Sequence, residues 1–239
     1  MNPVVNRYFY PAVSFFLFGP RPLAQNIDTV NEFWPEWQIL ISTSKTTRVM
    51  LDVNATKEKD VDYSNFEAGV HFDFFFRQFK HFLFRRLVSE DKTRNQMLLF
   101  RVGYRVDRSL NQATTVVEQR PLVEGTLRWV FPDNVLMSDR NRIEFRFING
   151  SFSWRYRNEL KFERDFRIAR FPFTAYLSTE PFYDSRYRAW NRFFFTYGMV
   201  FPFRRRWQFE PYYTRQRETT PNRLNVNGYG VILSWFPGR

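Results

Sequence analysis

The side chains best suited to chemistry are few. His71 and Asp73 lie two positions apart, with Glu67 on the same parity. A histidine beside a carboxylate can act as a general base or help to bind a metal. Either role needs further partners, and the sequence is short of them. The chain has 2 histidines, His71 and His81, and no cysteine. Thiol catalysis, disulfides and thiolate metal sites are thereby excluded. No serine is placed by spacing to complete a triad. There is no Gly-rich phosphate loop, no paired-carboxylate motif of helical spacing and no zinc signature. The expectation is no catalytic residue, no metal and no cofactor, with His71 an interior histidine among charged neighbours.

The stronger chemical signal is ion pairing. Arg120, Arg128, Arg140, Arg142, Arg146, Arg155, Arg157 and Arg192 share a face with Glu118, Glu124, Glu144, Glu159, Glu163, Glu180 and Glu210. Charges withdrawn from water must be paired and hydrogen-bonded. Arginine suits this, because its planar fork meets a carboxylate with two parallel bonds. Such a ladder can fill an interior with side chains or line a narrow polar channel, where surplus arginine would favour anions.

The element that positions these charges is clearest in the stretch 139–166. From Arg140 to Phe147, Arg140, Arg142, Glu144 and Arg146 alternate with Ile143, Phe145 and Phe147. Asn149-Gly150 follows, a strong hairpin signal. Then Arg155, Arg157, Glu159, Lys161, Glu163 and Asp165 alternate with Trp154, Tyr156, Leu160, Phe162 and Phe166. Successive side chains of a strand point to opposite faces, so this hairpin has one charged and one aromatic face. A soluble sheet buries its apolar face in a core. A membrane barrel turns it outward to lipid and keeps the charges inside.

Composition favours the second arrangement. Aromatic residues make up 21% of the 239-residue chain, 30 of them Phe, yet charged residues reach 25%. Mean hydropathy is −0.50. The net charge of +12 raises nucleic-acid binding as a competing class. The densest basic run is only Arg204-Arg205-Arg206, and elsewhere arginine is spread at period two. That spacing suits interior charge pairs, with surplus arginine at the rims available to lipid phosphates. No run of about 18 apolar residues exists, so no transmembrane helix is expected, which leaves a barrel untouched.

Residues 1–25 read as a secretory signal or an N-terminal arm, with Arg7 before an apolar stretch and Ala24 as a cleavage position. From Glu32 onward, alternating segments are separated by polar turns such as 57–62, 89–95 and 132–134. Segment 78–88 alternates poorly and reads as a strand or a rim segment. The expected architecture is all-β: a single transmembrane, antiparallel, up-and-down barrel over residues 32–236, with a charged lumen. About 12 strands are expected, with 10 as the alternative, because bacterial single-chain barrels have even counts. Trp34, Trp37, Trp129, Trp154, Trp190, Trp207 and Trp235 sit mostly near strand ends, as membrane-interface girdles would.

Several motifs carry a resemblance. They are Glu32-x-Trp34-x-Glu36-Trp37, Glu118-Gln119-Arg120-Pro121, Arg140-x-Arg142-x-Glu144-x-Arg146-Phe147, Trp154-Arg155-Tyr156-Arg157 with Glu163, Ser178-Thr179-Glu180-Pro181-Phe182, Asn191-Arg192 and Tyr212-Tyr213-x-Arg215. In this order, from about residue 32 to the C-terminus, the chain resembles a family of bacterial outer-membrane barrels catalogued as domain-of-unknown-function family 2490. The resemblance implies a monomeric barrel in the outer membrane and carries no activity. Outer-membrane barrels often end on an aromatic residue read by the assembly machinery; here Trp235-Phe236 is followed by Pro237-Gly238-Arg239.

The expectation is therefore an integral protein of the bacterial outer membrane, acting as a scaffold or a narrow, closed or open, polar channel. Its expected partners are membrane lipid, lipopolysaccharide and the barrel assembly machinery, with no nucleic acid. The alternatives are an envelope lipid-modifying enzyme, which would need a His and Ser pair on the outer rim that cannot be placed here, and a soluble basic β-sheet protein.

Overall fold

The computed structural model describes residues 28–58, 63–79, 95–110, 116–204, 206–220 and 224–237. The expected signal or arm over 1–25 lies outside them, as does 80–88 of the ambiguous segment.

The described residues form strands β1 (Asp28–Ser42), β2 (Thr47–Glu58), β3 (Tyr63–Gln78), β4 (Gln96–Ser109), β5 (Val117–Phe131), β6 (Val135–Ile148), β7 (Ser151–Ile168), β8 (Phe171–Asp184), β9 (Ala189–Phe203), β10 (Trp207–Glu218) and β11 (Leu224–Trp235). Each strand pairs with its sequence neighbours, and β1 pairs with β11 to close the barrel. Closure leaves no unpaired edge, which a sheet with so apolar a face could not safely expose.

Strand number departs from the expected 12 or 10. The described residues form 11 strands. An even count follows only when every neighbouring pair is antiparallel. Here β1 and β11 run parallel, from Asp28↔Leu224 to Ile39↔Trp235, and that single pair accommodates the odd strand. The two ends of the wall are therefore chemically distinct in chain order. The start of β1 lies at one rim and the end of β11 at the other. β3 and β4 are direct neighbours, paired from Asn65↔Ser109 to Gln78↔Gln96.

The turns follow local chemistry. Between β6 and β7, Asn149 and Gly150 take φ of 46° and 85°. These are the positive values that a tight two-residue hairpin turn needs and that Asn-Gly supplies cheaply. Pro132–Asn134 forms a tight turn between β5 and β6, with Asp133 and Asn134 both at a φ of 60°.

Alternation is kept around the wall. Outward residues include Trp37, Leu51, Phe72, Phe100, Leu127, Phe145, Trp154, Leu177, Phe195, Phe209 and Tyr229, at least one from every strand, and all are exposed. One register break matters. Tyr183 pairs with Trp190 while Phe182 pairs with Arg192, leaving Asn191 as an extra residue. This bulge puts Trp190 on the outer face and Arg192 on the inner one, although both are even-numbered.

Candidate functional site

The inner face of the barrel is the candidate site, and its charged half spans β2 to β8. Glu144 on β6 is wholly buried. It accepts from Arg155 Nε at 2.7 Å and from Arg157 Nη1 at 3.0 Å. Arg157 also forks onto Glu180, with Nε and Nη2 each at 2.9 Å. Arg140 Nη2 reaches Glu180 at 2.8 Å and Glu159 at 3.0 Å. Arg142 Nε donates to Glu124 at 2.7 Å. Arg146 forks onto Glu118 at 2.6 and 2.7 Å and reaches Asp184 at 2.9 Å. Arg120 donates to Glu118 at 2.9 Å and to Glu67 at 2.7 Å. These links run without a gap from β3 to β8. Each guanidinium meets carboxylates on neighbouring or next-but-one strands, because inward side chains of adjacent strands stand side by side.

Other residues expected in the ladder lie apart from it. Arg192 pairs with Glu218 at 3.0 Å. Arg128 donates to the Gln96 carbonyl at 3.3 Å. Glu163 lies 3.9 Å from Lys161. Glu210 accepts from the Tyr176 hydroxyl at 2.7 Å.

The network also includes residues that the sequence reading did not join to it. Asp73 accepts from Arg48 Nη2 at 2.6 Å and from Arg101 Nε at 2.6 Å. Arg105 bridges Asp52, at 2.9 Å, and Glu67, at 2.5 Å. All share the inward parity of β2, β3 and β4, which was the available signal. Pairing across strands far apart in sequence was not visible.

His71 is wholly buried. Its partner is Asp52 on β2, with Nε2 at 2.6 Å from Oδ1, and not Asp73, which the two arginines hold. Adjacency in sequence placed His71 and Asp73 on one face; register decides which carboxylate meets the ring. The ring lies against Gly103 and Gly69, and a Cβ on Gly103 would overlap it. Among the described residues no group of three His, Asp or Glu is arranged to hold a metal.

The remaining part of the lumen, from β8 through β11 to β1, is filled differently. Aromatic rings lie over glycines. Trp34 covers Gly228, Tyr212 covers Gly230, and Tyr176 reaches Gly198. Trp34 thus faces inward, unlike the girdle position expected for it. Phe182, buried to 1%, joins the two parts, with Arg157 4.4 Å above its ring.

The aromatics expected at the interfaces fall on the outer wall in two groups. Trp154 and Trp190 lie toward one rim, and Trp129, Trp207 and Trp235 toward the other; Trp207 and Trp235 stack at 5.9 Å. Trp37 is outward but well inside β1. Among the described residues, exposed cations lie on the rims. Lys45, Arg77, Arg167, Arg170 and Arg204 are exposed at one end, and Lys57, Arg108, Arg188 and Arg217 at the other. Asp133 is the one exposed carboxylate among the described residues. The inward parity has no arginine surplus, which removes the basis for expecting anion preference there.

What this arrangement can do is occupy space and resist displacement. A water-filled channel would leave inward side chains exposed along its length. Instead Asp52, His71, Asp73 and Glu144 are at most 1% exposed on one side of the lumen, and Thr174, Val200 and Val226 at most 1% on the other.

A family model described as a protein of unknown function, DUF2490, matches residues 34–227. No curated protein and no solved structure matches the chain.

Proposed function

For this chain, which belongs to the DUF2490 family of proteins of unknown function, we propose an integral role in the bacterial outer membrane, as a barrel whose lumen is filled rather than open. The observation that carries the reading is the inverted polarity of the wall. Large apolar side chains are exposed on every strand, while Arg, Glu and Asp are buried inside beside a smaller set of apolar side chains. In water this would leave an apolar belt far larger than the few hundred Å² a soluble monomer tolerates. In a bilayer the same belt faces hydrocarbon, and strands of 12–18 residues exceed the ~9–11 needed to cross at a tilt.

The rim arginines then lie at the height of lipid phosphates, which they attract electrostatically. Phospholipid and lipopolysaccharide head groups are the natural partners, and the assembly machinery is what would deliver such a wall to the membrane. Nucleic acid is a poor fit, because the lumen arginines are already paired with carboxylates and the exposed cations are spread over both rims. Enzymatic work is a poor fit too: His71, the one described histidine, is enclosed with Asp52 and has no nucleophile beside it.

Cell fractionation tests the proposal. The protein is expected in the detergent-extracted outer membrane, with an unheated band that migrates differently from the heated one. Recovery as a soluble monomer without detergent would overturn it.

A further inference from the structure

The outer wall carries polar side chains nearer one rim, where Arg215 and Asn31 meet Asn227, and a separate polar patch at mid-strand. Asp139 and Asn141 on β6 and Asn158 on β7 all point outward. Asn141 sits at the midpoint of β6, directly opposite Asn158, and Asp139 is the next outward position toward Val135. Asn158 Nδ2 donates to Asp139 Oδ1 at 2.6 Å and lies 3.2 Å from Asn141 Oδ1. Asn141 Nδ2 donates to the same Asp139 oxygen at 3.1 Å, and the Tyr156 hydroxyl donates to Asn141 Oδ1 at 2.5 Å. Among the described residues no other carboxylate points outward from a strand.

Beside this patch the wall is indented. Gly125 on β5 pairs with Asn141 and faces outward, and a Cβ built on it would meet nothing within 4 Å. The indentation is unfilled by the chain itself.

We propose that this patch is where a second copy of the chain docks, wall to wall, within the membrane. The inference rests on the reading that the outer wall faces lipid. A carboxylate and two carboxamides facing hydrocarbon are costly, and such groups in a membrane mark functional contacts. Their internal hydrogen bonds leave one Asn141 amide hydrogen as a donor. They leave the second Asp139 oxygen and Asn158 Oδ1 as acceptors. A set containing both donors and acceptors is complementary to itself under a two-fold rotation, which is the geometry of the commonest homodimers. Small residues let backbones approach closely in a membrane, and polar side chains then bond across the contact. Gly125 and its polar neighbours supply both. The patch thus replaces the monomer that the resemblance implied with a two-fold dimer.

The absence of cysteine makes the test clean. Ile143→Cys places a thiol one outward position from Asn141 and leaves every polar atom of the patch in place. Leu233→Cys, outward on β11, is the control elsewhere on the wall. Both variants are oxidised in isolated membranes and resolved on non-reducing gels. The expected result is a disulfide-linked species of twice the 29.3 kDa chain mass, several-fold more abundant for Ile143→Cys than for Leu233→Cys. Adding Asp139→Leu, Asn141→Leu and Asn158→Leu to Ile143→Cys should bring it down to the control level in protein that keeps its heat-modifiable band. Equal cross-linking of the two single-cysteine variants in heat-modifiable, membrane-bound protein overturns the dimer alone, and would leave lipid or another protein on the patch. Persistent cross-linking in the leucine variant overturns the assignment of the patch. Soluble protein without a heat-modifiable band overturns the lipid-facing reading, and the dimer with it.

Discussion

Glu144 illustrates what a buried charge demands of its neighbours. It is wholly enclosed, bonds Arg155 and Arg157, and lies 3.7 Å from Arg142. Removing one member of such a pair typically costs about 3–5 kcal/mol, because the partner is left charged and uncompensated. The network is therefore hard to open at any one point. His71 makes the same case through shape. Its ring occupies the space that glycine leaves at position 103. Gly103→Ala should lower stability by roughly 1–3 kcal/mol, the usual cost of overpacking. The Gly103→Ala, His71→Ala double variant should recover part of that loss relative to the sum of the single changes. The midpoint temperature at which the unheated gel band is lost would measure both. A Gly103→Ala variant as stable as the parent would mean that the lumen is looser than described.

Strand alternation was the most legible feature of the chain. Parity alone assigned inward and outward faces for stretches such as Arg140–Phe147 and Trp154–Glu163, because one residue's slip would turn every charge into the apolar face. Two things were not legible. The partner of His71 depends on the β2–β3 register, Asp52↔Gly69 and Met50↔His71, which a local reading cannot reach. The strand count depends on β1 meeting β11 in parallel, a contact between the two ends of the described chain. That pairing has a consequence at the scale of elements. Thr29, near the start of β1, lies at one rim, while Ser44 and Phe236 lie at the other. With a membrane-impermeant maleimide, Ser44→Cys and Phe236→Cys should be labelled from one side of the membrane and Thr29→Cys from the opposite side. Labelling of Thr29→Cys and Phe236→Cys from the same side would contradict the parallel closure and restore an even count.

The whole molecule separates charge by place. Among the described residues, paired charge fills much of the interior, exposed cations ring both ends, and the belt between them is mostly apolar, with its one outward strand carboxylate in the patch around Asn141. The exposed cations among the described residues therefore speak to what touches the rims, not to what passes through the lumen. On the filled-barrel reading proposed above, the lumen is shut by guanidinium–carboxylate links between β3 and β8 and by rings seated on glycines from β8 to β1. The measurement that bears most directly on this is conductance across a planar bilayer holding the inserted, heat-modifiable protein. A filled barrel predicts a bilayer that stays electrically silent under applied voltage. Stable, ohmic single-channel steps would contradict it and make the same charged ladder the lining of a pore.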